Sequence, residues 1–291
     1  MKAYPSPQTT RHSFSLSMTD PSNTTGFWDI VAKVMNHFPD MKAGGMQGYS
    51  GMTPPPIVPS WTWSWSFDVH DKPNGTIESL IAPILQMLDP HNGTSFIYTS
   101  EIEPYPTFFS LWNSSIGEET VATTGAVMGS RLLPALPLTE DTERLARTLE
   151  NITVSYEGMP AILLAYMIAP LRNDTVDEVS TTPAWRDAIL HTVIVTGFPD
   201  NYTFAEAQPY LNNLTYQRVA GLKSLAPESG AYLNEADGFD PNWQHDFWGG
   251  NYPRLRAVKE KYDPDSSLWC ISCVGSEYWT ADESGRLCKV P

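Results

Sequence analysis

Tyr232 and Asn234 stand two residues apart in Gly230–Ala231–Tyr232–Leu233–Asn234–Glu235–Ala236–Asp237, so on an extended strand their side chains share a face. A phenol beside a carboxamide suits a polar, planar ligand. The amide meets ring carbonyls and N–H groups, and the phenol can take a proton from a substrate alcohol. An unaided phenol, with a pKa of about 10, is a poor base at neutral pH, so its surroundings must help it. A tyrosine beside a buried asparagine also serves plain packing, and residue types alone leave both readings open. Glu235 and Asp237 are acidic enough for catalysis or metal ligation, but no histidine pattern accompanies them in the sequence. Ordinary hydrogen bonding is their expected role, with no metal, and His245 is expected to cap or bond locally.

The same quarter of the chain holds Trp243–Gln244–His245–Asp246–Phe247–Trp248–Gly249–Gly250–Asn251–Tyr252–Pro253–Arg254–Leu255 and closes on Tyr262–Asp263–Pro264. Leu255, Val258 and Tyr262 form one helical stripe over 251–262, which Pro264 ends. Cys270, Cys273 and Cys288 all lie near the end of the chain. Four-ligand zinc needs a second cysteine pair that the sequence lacks. A disulfide closing the tail, Cys273–Cys288, is the expected pairing, with one cysteine left over.

The elements that must position these residues alternate between strand and helix. Residues 12–18 alternate polar and apolar, as does Trp61–Thr62–Trp63–Ser64–Trp65–Ser66–Phe67, whose aromatics then share one face and whose hydroxyls share the other. That aromatic face is either core beneath a helix or the wall of a substrate pocket. Phe27–Phe38 has helical spacing, and Thr76 is expected to cap a helix reaching Leu88. Gly44–Gly51 matches neither a dinucleotide fingerprint nor a phosphate loop and reads as a turn and strand. Residues 96–100, 107–112, 123–133, 161–168 and 189–195 are further strand candidates, and 139–149 a helix. The order predicts an α+β fold, a mostly antiparallel sheet with helices on one face. A linker at Ala226–Gly230 divides the chain into 1–226, a substrate-binding α+β domain, and 227–291, a C-terminal segment.

At 291 residues, with 41% hydrophobic and 18% charged residues, the chain can bury a sizeable core. A net charge of −15 argues against nucleic acid and anionic membranes as partners. Asn-x-Ser/Thr sequons fall at Asn23, Asn74, Asn92, Asn113, Asn151, Asn173, Asn201 and Asn213, eight of thirteen asparagines. Roughly two would arise by chance, so a secreted or vacuolar glycoprotein is expected. Residues 1–8 lack the apolar core of a signal peptide, which points to an upstream portion.

The string at 230–264 resembles the C-terminal motif of berberine-bridge-enzyme-like FAD-linked oxidoreductases, a branch of the vanillyl-alcohol-oxidase superfamily. Tyr232-x-Asn234 matches that family's Tyr-x-Asn, and Asn251–Tyr252–Pro253–Arg254–Leu255 its following Asn-Tyr/Phe-x-Arg-Leu. Gly129–Ser130–Arg131–Leu132–Leu133–Pro134 and Pro183–Ala184–Trp185–Arg186 resemble substrate-domain stretches of the fungal, alcohol-oxidase-like branch. The resemblance implies FAD as cofactor, with Tyr232, Asn234 and Asn251 near it. It also implies transfer of a hydride from an alcohol, sugar or secondary metabolite to flavin N5. Tyr232 would assist removal of the hydroxyl proton, and dioxygen would reoxidise the flavin. In that family an N-terminal domain binds FAD and carries its covalent attachment residues, and nothing before the substrate-domain stretches resembles it. The expectation is a C-terminal portion whose FAD domain is separate or missing. The alternative is a catalytically inactive, secreted α+β binding module derived from such an enzyme.

Overall fold

Strict alternation of apolar and polar residues lays down the centre of the molecule. In the computed structural model, residues 6–115, 126–168, 179–281 and 286–290 are described. Seven strands, β1 (Thr9–Met18), β2 (Gln47–Thr53), β3 (Thr62–His70), β4 (Phe96–Tyr105), β5 (Ala126–Leu133), β6 (Ile162–Tyr166) and β7 (Leu190–Gly197), form one sheet in the order β4-β1-β3-β2-β6-β7-β5. Every pairing in it is antiparallel. Two short strands, β8 (Trp279–Ala281) and β9 (Leu287–Lys289), pair separately.

The helices are α1 (Thr24–Met35), α2 (Phe38–Ala43), α3 (Thr76–Leu88), α4 (Phe108–Ser115), α5 (Leu136–Thr139), α6 (Thr142–Thr153), α7 (Phe204–Asn213), α8 (Ala220–Leu225), α9 (Trp243–Trp248) and α10 (Tyr252–Tyr262). Three of the long helices start where the sequence supplies a side-chain acceptor. Asn23 caps α1 through Gly26 N–H, Asp141 caps α6, and Thr203 with Glu206 forms a capping box on α7. Gly75, in a left-handed conformation, precedes α3, and Thr76 is the first helical residue rather than the cap.

The period-two aromatics resolve as core. Trp61, Trp63, Trp65 and Phe67 are buried with Phe14, Leu16 and Met52 against Phe27, Trp28 and Val31 of α1, Phe38 and Met41 of α2, Ile81 and Ile84 of α3, and Leu145 and Leu149 of α6. They are not a pocket wall. The opposite face carries Ser13, Ser15 and Ser17 of β1 and Thr62, Ser64 and Ser66 of β3, directly paired in register and at least partly exposed. The predicted α+β class, with helices on one face of a mostly antiparallel sheet, holds.

Gly48 fits its place because it has no side chain. Its φ is +150°, and a Cβ there would run into the Ser66 carbonyl across the β2–β3 pairing. Gly48→Ala is expected to cost roughly 2–4 kcal/mol, read as a lower urea midpoint; an unchanged midpoint would contradict this.

Other expectations change. Residues 107–112 are not a strand: Thr107 Oγ1 accepts from Ser110 N–H and opens α4, whose Phe109 and Trp112 stay exposed. Local capping outweighs aromatic strand preference there. The disulfide is Cys270–Cys273, with Cα atoms 5.3 Å apart, and not Cys273–Cys288. Cys288 lies on β9 beyond the Cys270–Cys273 turn. Residues 203–225, where the apolar spacing predicts no element, are α7, a π-helical turn (Leu214–Val219) and α8. Of the strand expected at 123–133, residues 123–125 lie outside the described residues, as does Asn173.

Candidate functional site

At the β6–β7–β5 end, the second face of the sheet is partly roofed. Leu132 N–H of β5 donates to Gly230 O, which draws the segment after α8 along the sheet edge. The corner at Pro183–Arg186 brings Trp185 over Leu132 and Ala188. Between the corner and that segment stands His191, which points from β7 to the same face as its register partner Tyr166 on β6.

His191 is fully buried within a ring of aromatics. Its centroid lies 5.3 Å from Trp185, 5.8 Å from Tyr232 and 5.9 Å from Tyr166, and Tyr49 packs edge-on to Tyr166 at 4.9 Å. Trp185 and Tyr232 touch at 5.8 Å. Nδ1 of His191 is 3.4 Å from Oε2 of Glu235, yet neither ring nitrogen takes part in a well-formed hydrogen bond. Burial lowers the imidazole pKa to about 4 and raises that of the Glu235 carboxyl. The phenol of Tyr166 is pushed up to about 12 by burial, then by the nearby Glu235 and Tyr49. At neutral pH the floor of the site is therefore a neutral imidazole and a neutral phenol beside the Glu235 carboxyl.

Tyr232 and Asn234 come together, though not on a strand. Tyr232 is extended and Leu233–Glu235 make a tight 3-10 turn, so Asn234 Nδ2 donates to the Tyr232 hydroxyl at 2.6 Å. Tyr232 is 37% exposed and Asn234 is exposed too, so both reach the open side while His191 stays beneath. Asn251 stands apart from that pair. Its amide donates to Thr181 O at 2.9 Å and holds the backbone that leads into the Trp185 corner. Asp237 accepts from Phe239 N–H, and His245 Nδ1 pairs with Asp246 at 3.0 Å, both local roles as expected. His191 was not singled out by the sequence reading. Its signal is a lone histidine inside the apolar run Ile189–Val195.

A buried charge cluster locks this segment to the sheet. Arg131 of β5 donates to Ala226 O at 3.0 Å and to Pro227 O at 2.6 Å, and pairs with Asp246 of α9 at 3.1 Å. Lys223 of α8 bridges Asp240 and Asp246, 2.6 Å from each. Burial pushes the Asp246 carboxyl up, but bonds from Lys223 and His245 and the charge of Arg131 outweigh it and hold it at about 2.

A flavin ring asks for a flat aromatic or apolar neighbour and for polar groups along its edge. The exposed Tyr232–Asn234 pair above the buried His191 and its partly buried aromatic neighbours fits that demand, and the Asn234 carbonyl has no partner among the described residues. No three His, Cys, Asp or Glu side chains gather to hold a metal among the described residues, and none of their helices is long and apolar enough to cross a membrane.

Known proteins share this fold. The family described as "Berberine and berberine like" matches residues 231–270. The FAD-linked oxidoreductase patO of Penicillium expansum is 28% identical over 280 residues, covering 93% of this chain and 45% of its own. The VAO-type flavoprotein MtVAO713 of Myceliophthora thermophila superposes with a TM-score of 0.86 at 24% identity, over 98% of this chain and 51% of its own. A carbohydrate oxidase from Microdochium nivale, solved in complex with a substrate analogue, superposes at 0.60 and 13% identity, over 94% and 56%. The chain spans about half the length of the curated relatives it matches. The likeness to MtVAO713 spans the sheet and the C-terminal segment together.

Proposed function

We propose, from the premise that this chain is a berberine-bridge-like relative of the FAD-linked oxidoreductases, that it supplies the substrate-binding part of a flavin oxidase. Residues 1–226 hold the substrate, and 227–291 close against a flavin domain. The observation that carries this reading is the exposed Tyr232–Asn234 pair of the matched segment, set over the buried His191 and the aromatic rings around it. FAD, when bound, would supply the acceptor for the substrate hydride, with dioxygen as its oxidant. Tyr232 meets the substrate hydroxyl and assists removal of its proton. Asn234 fixes that phenol and faces the flavin edge, and Asn251 acts on the cofactor side by pinning the Thr181 backbone. Val258 and Tyr262 of α10 and Leu268 beyond it are exposed, Tyr262 by 75%, and we assign this apolar stripe to packing on the flavin domain. The hydroxyl-bearing sheet face favours a polar alcohol, a sugar or a hydroxylated secondary metabolite as substrate.

The sequons fit a glycoprotein of the secretory route. Asn23, Asn74, Asn92, Asn113, Asn151 and Asn201 are exposed, whereas the Asn213 side chain accepts from Arg218 at 2.7 Å above a buried Thr215. Secreted chain is therefore expected to carry glycans at the first six and none at Asn213, checked by peptide mass spectrometry after enzymatic deglycosylation. An occupied Asn213 would contradict this.

The flavin site is tested by titrating the purified chain into FAD. Stacking on Tyr232 should quench flavin fluorescence weakly, and Tyr232→Ala with Asn234→Ala should abolish the quenching. FAD that stays fully fluorescent at every protein concentration would sink the flavin-facing role and leave the inactive binding module as the better reading.

A further inference from the structure

Two histidines are fully buried in this protein, and they are buried differently. His12 has both ring nitrogens engaged: Nε2 bonds Ser100 Oγ at 2.9 Å, and Nδ1 accepts from Trp65 Nε1 at 3.0 Å. It is a satisfied core residue. His191 has neither nitrogen in a hydrogen bond, and the oxygen of Glu235 that faces it has none either. Buried polar groups without partners are rare and costly, and two aimed at each other call for a functional account.

The pair is asymmetric. The His191 side chain is inaccessible, while that of Glu235 is 35% exposed. Only the carboxylate can touch a ligand on the open side, and only the imidazole can hold it from behind. We infer that Glu235 is a second catalytic group of this site and His191 its positioning residue, the proton released by the substrate coming to rest on Glu235. This rests on the flavin-oxidase reading. The substrate O–H bond breaks and its proton passes to the outer oxygen of Glu235. The adjacent C–H bond breaks with both electrons leaving as hydride to the flavin, and a C=O bond forms. Tyr232 hydrogen-bonds the hydroxyl during the step.

Several observations favour the carboxylate over the phenol as the resting place. Among the described residues, the Tyr232 hydroxyl takes its hydrogen bond from the neutral amide N–H of Asn234, which is not a charge that would hold a phenolate. Burial moves Glu235 toward neutral pH, where a general base works best. The Tyr166 phenol on the floor does not compete for the proton. Tyr166 stays neutral with Tyr49 behind it, and Tyr232 borders the ring from Glu235's own segment. Arg186 and Asp187 follow Trp185 along the chain, and Lys42 bonds the Ala188 carbonyl there.

The test has two arms. In the first, the chain is labelled with 13C at glutamate carboxyls, and the Glu235 signal is assigned by its loss in Glu235→Gln. It should titrate above the ordinary glutamate range, near 4.3. His191→Phe takes away the imidazole nitrogen that stands 3.4 Å from Oε2 of Glu235 and should move the midpoint higher still, while His191→Gln should bring it back. An ordinary midpoint, or one that His191→Phe leaves in place, overturns the pair. In the second, the complete FAD-loaded protein with Glu235→Gln should lose about 100-fold in kcat with little change in KM, and should lose the acid limb of its pH profile. Tyr232→Phe should keep that limb. Wild-type protein without turnover sinks the oxidase reading and the catalytic role together. Wild-type turnover that Glu235→Gln leaves intact sinks the role of Glu235 alone.

Discussion

Tyr232→Phe is expected to lower turnover of the complete, FAD-loaded protein by about 100-fold or more, with FAD binding unchanged. The two properties separate because the phenylalanine ring still fits between Trp185 and His191, at the 5.8 Å spacings that hold the tyrosine. What disappears is one hydroxyl, the group that accepts from Asn234 and would meet the substrate. Losing one positioned group that acts in the transition state removes on the order of 10²–10⁴ in rate. The measurement is rapid mixing of oxidised enzyme with substrate, following flavin bleaching, beside equilibrium FAD binding. A variant that reduces its flavin at the wild-type rate would take Tyr232 out of the chemistry.

The second large effect is on folding. Asp246→Asn keeps the shape of the side chain but leaves Arg131 fully buried and Lys223 largely buried without their shared counter-charge. Breaking a buried ion pair from one side costs roughly 3–5 kcal/mol, whereas replacing the partners together is often neutral. The single change should therefore lower the urea midpoint strongly. The double change Arg131→Met with Asp246→Leu should recover part of the loss. The cluster also sets a pH limit. Unfolded, Asp246 titrates near 3.8, and folded near 2, so its contribution is fully present above 3.8 and fades as pH falls through 2. Asp246→Asn should show a flatter acid limb than wild type. If the acid limbs coincide, the cluster is not what fails in acid.

Much of this was legible in the chain. Period-two segments such as Trp61–Phe67 specify which face of a strand is buried, and caps such as Asn23 and Asp141 fix where helices begin. The Tyr-x-Asn spacing read correctly as two side chains that meet, although a 3-10 turn rather than a strand brings them together. What the sequence concealed depends on distance along the chain. His191 meets Glu235 only because Leu132 pairs with Gly230 across the edge of the sheet, and no local pattern encodes that contact. The cysteines misled for the opposite reason. Three residues apart, Cys270 and Cys273 close on each other inside a single turn, while the tail expected to be tied to Cys273 forms its own β8–β9 pairing. Residues 203–225 hid because Pro209 sits inside α7 and a π turn follows, which breaks the helical spacing of apolar residues.

The alternation of β1 and β3 has a consequence for how such a chain changes over time. Ser13, Ser15, Ser64 and Ser66 each lie one residue from Phe14, Leu16, Trp63 or Trp65, yet they point to the other side of the sheet. A strand assigns neighbouring codons to separate tasks, one set to cohesion and the next to contact with whatever lies on the sheet. Substitutions at the serine positions can therefore retune what the face accepts while the aromatic stack beneath keeps its packing. Saturating those four positions should give variants that differ in ligand preference and unfold at nearly the parent's midpoint. The chain has a surface free to drift and a core that holds still, interleaved residue by residue.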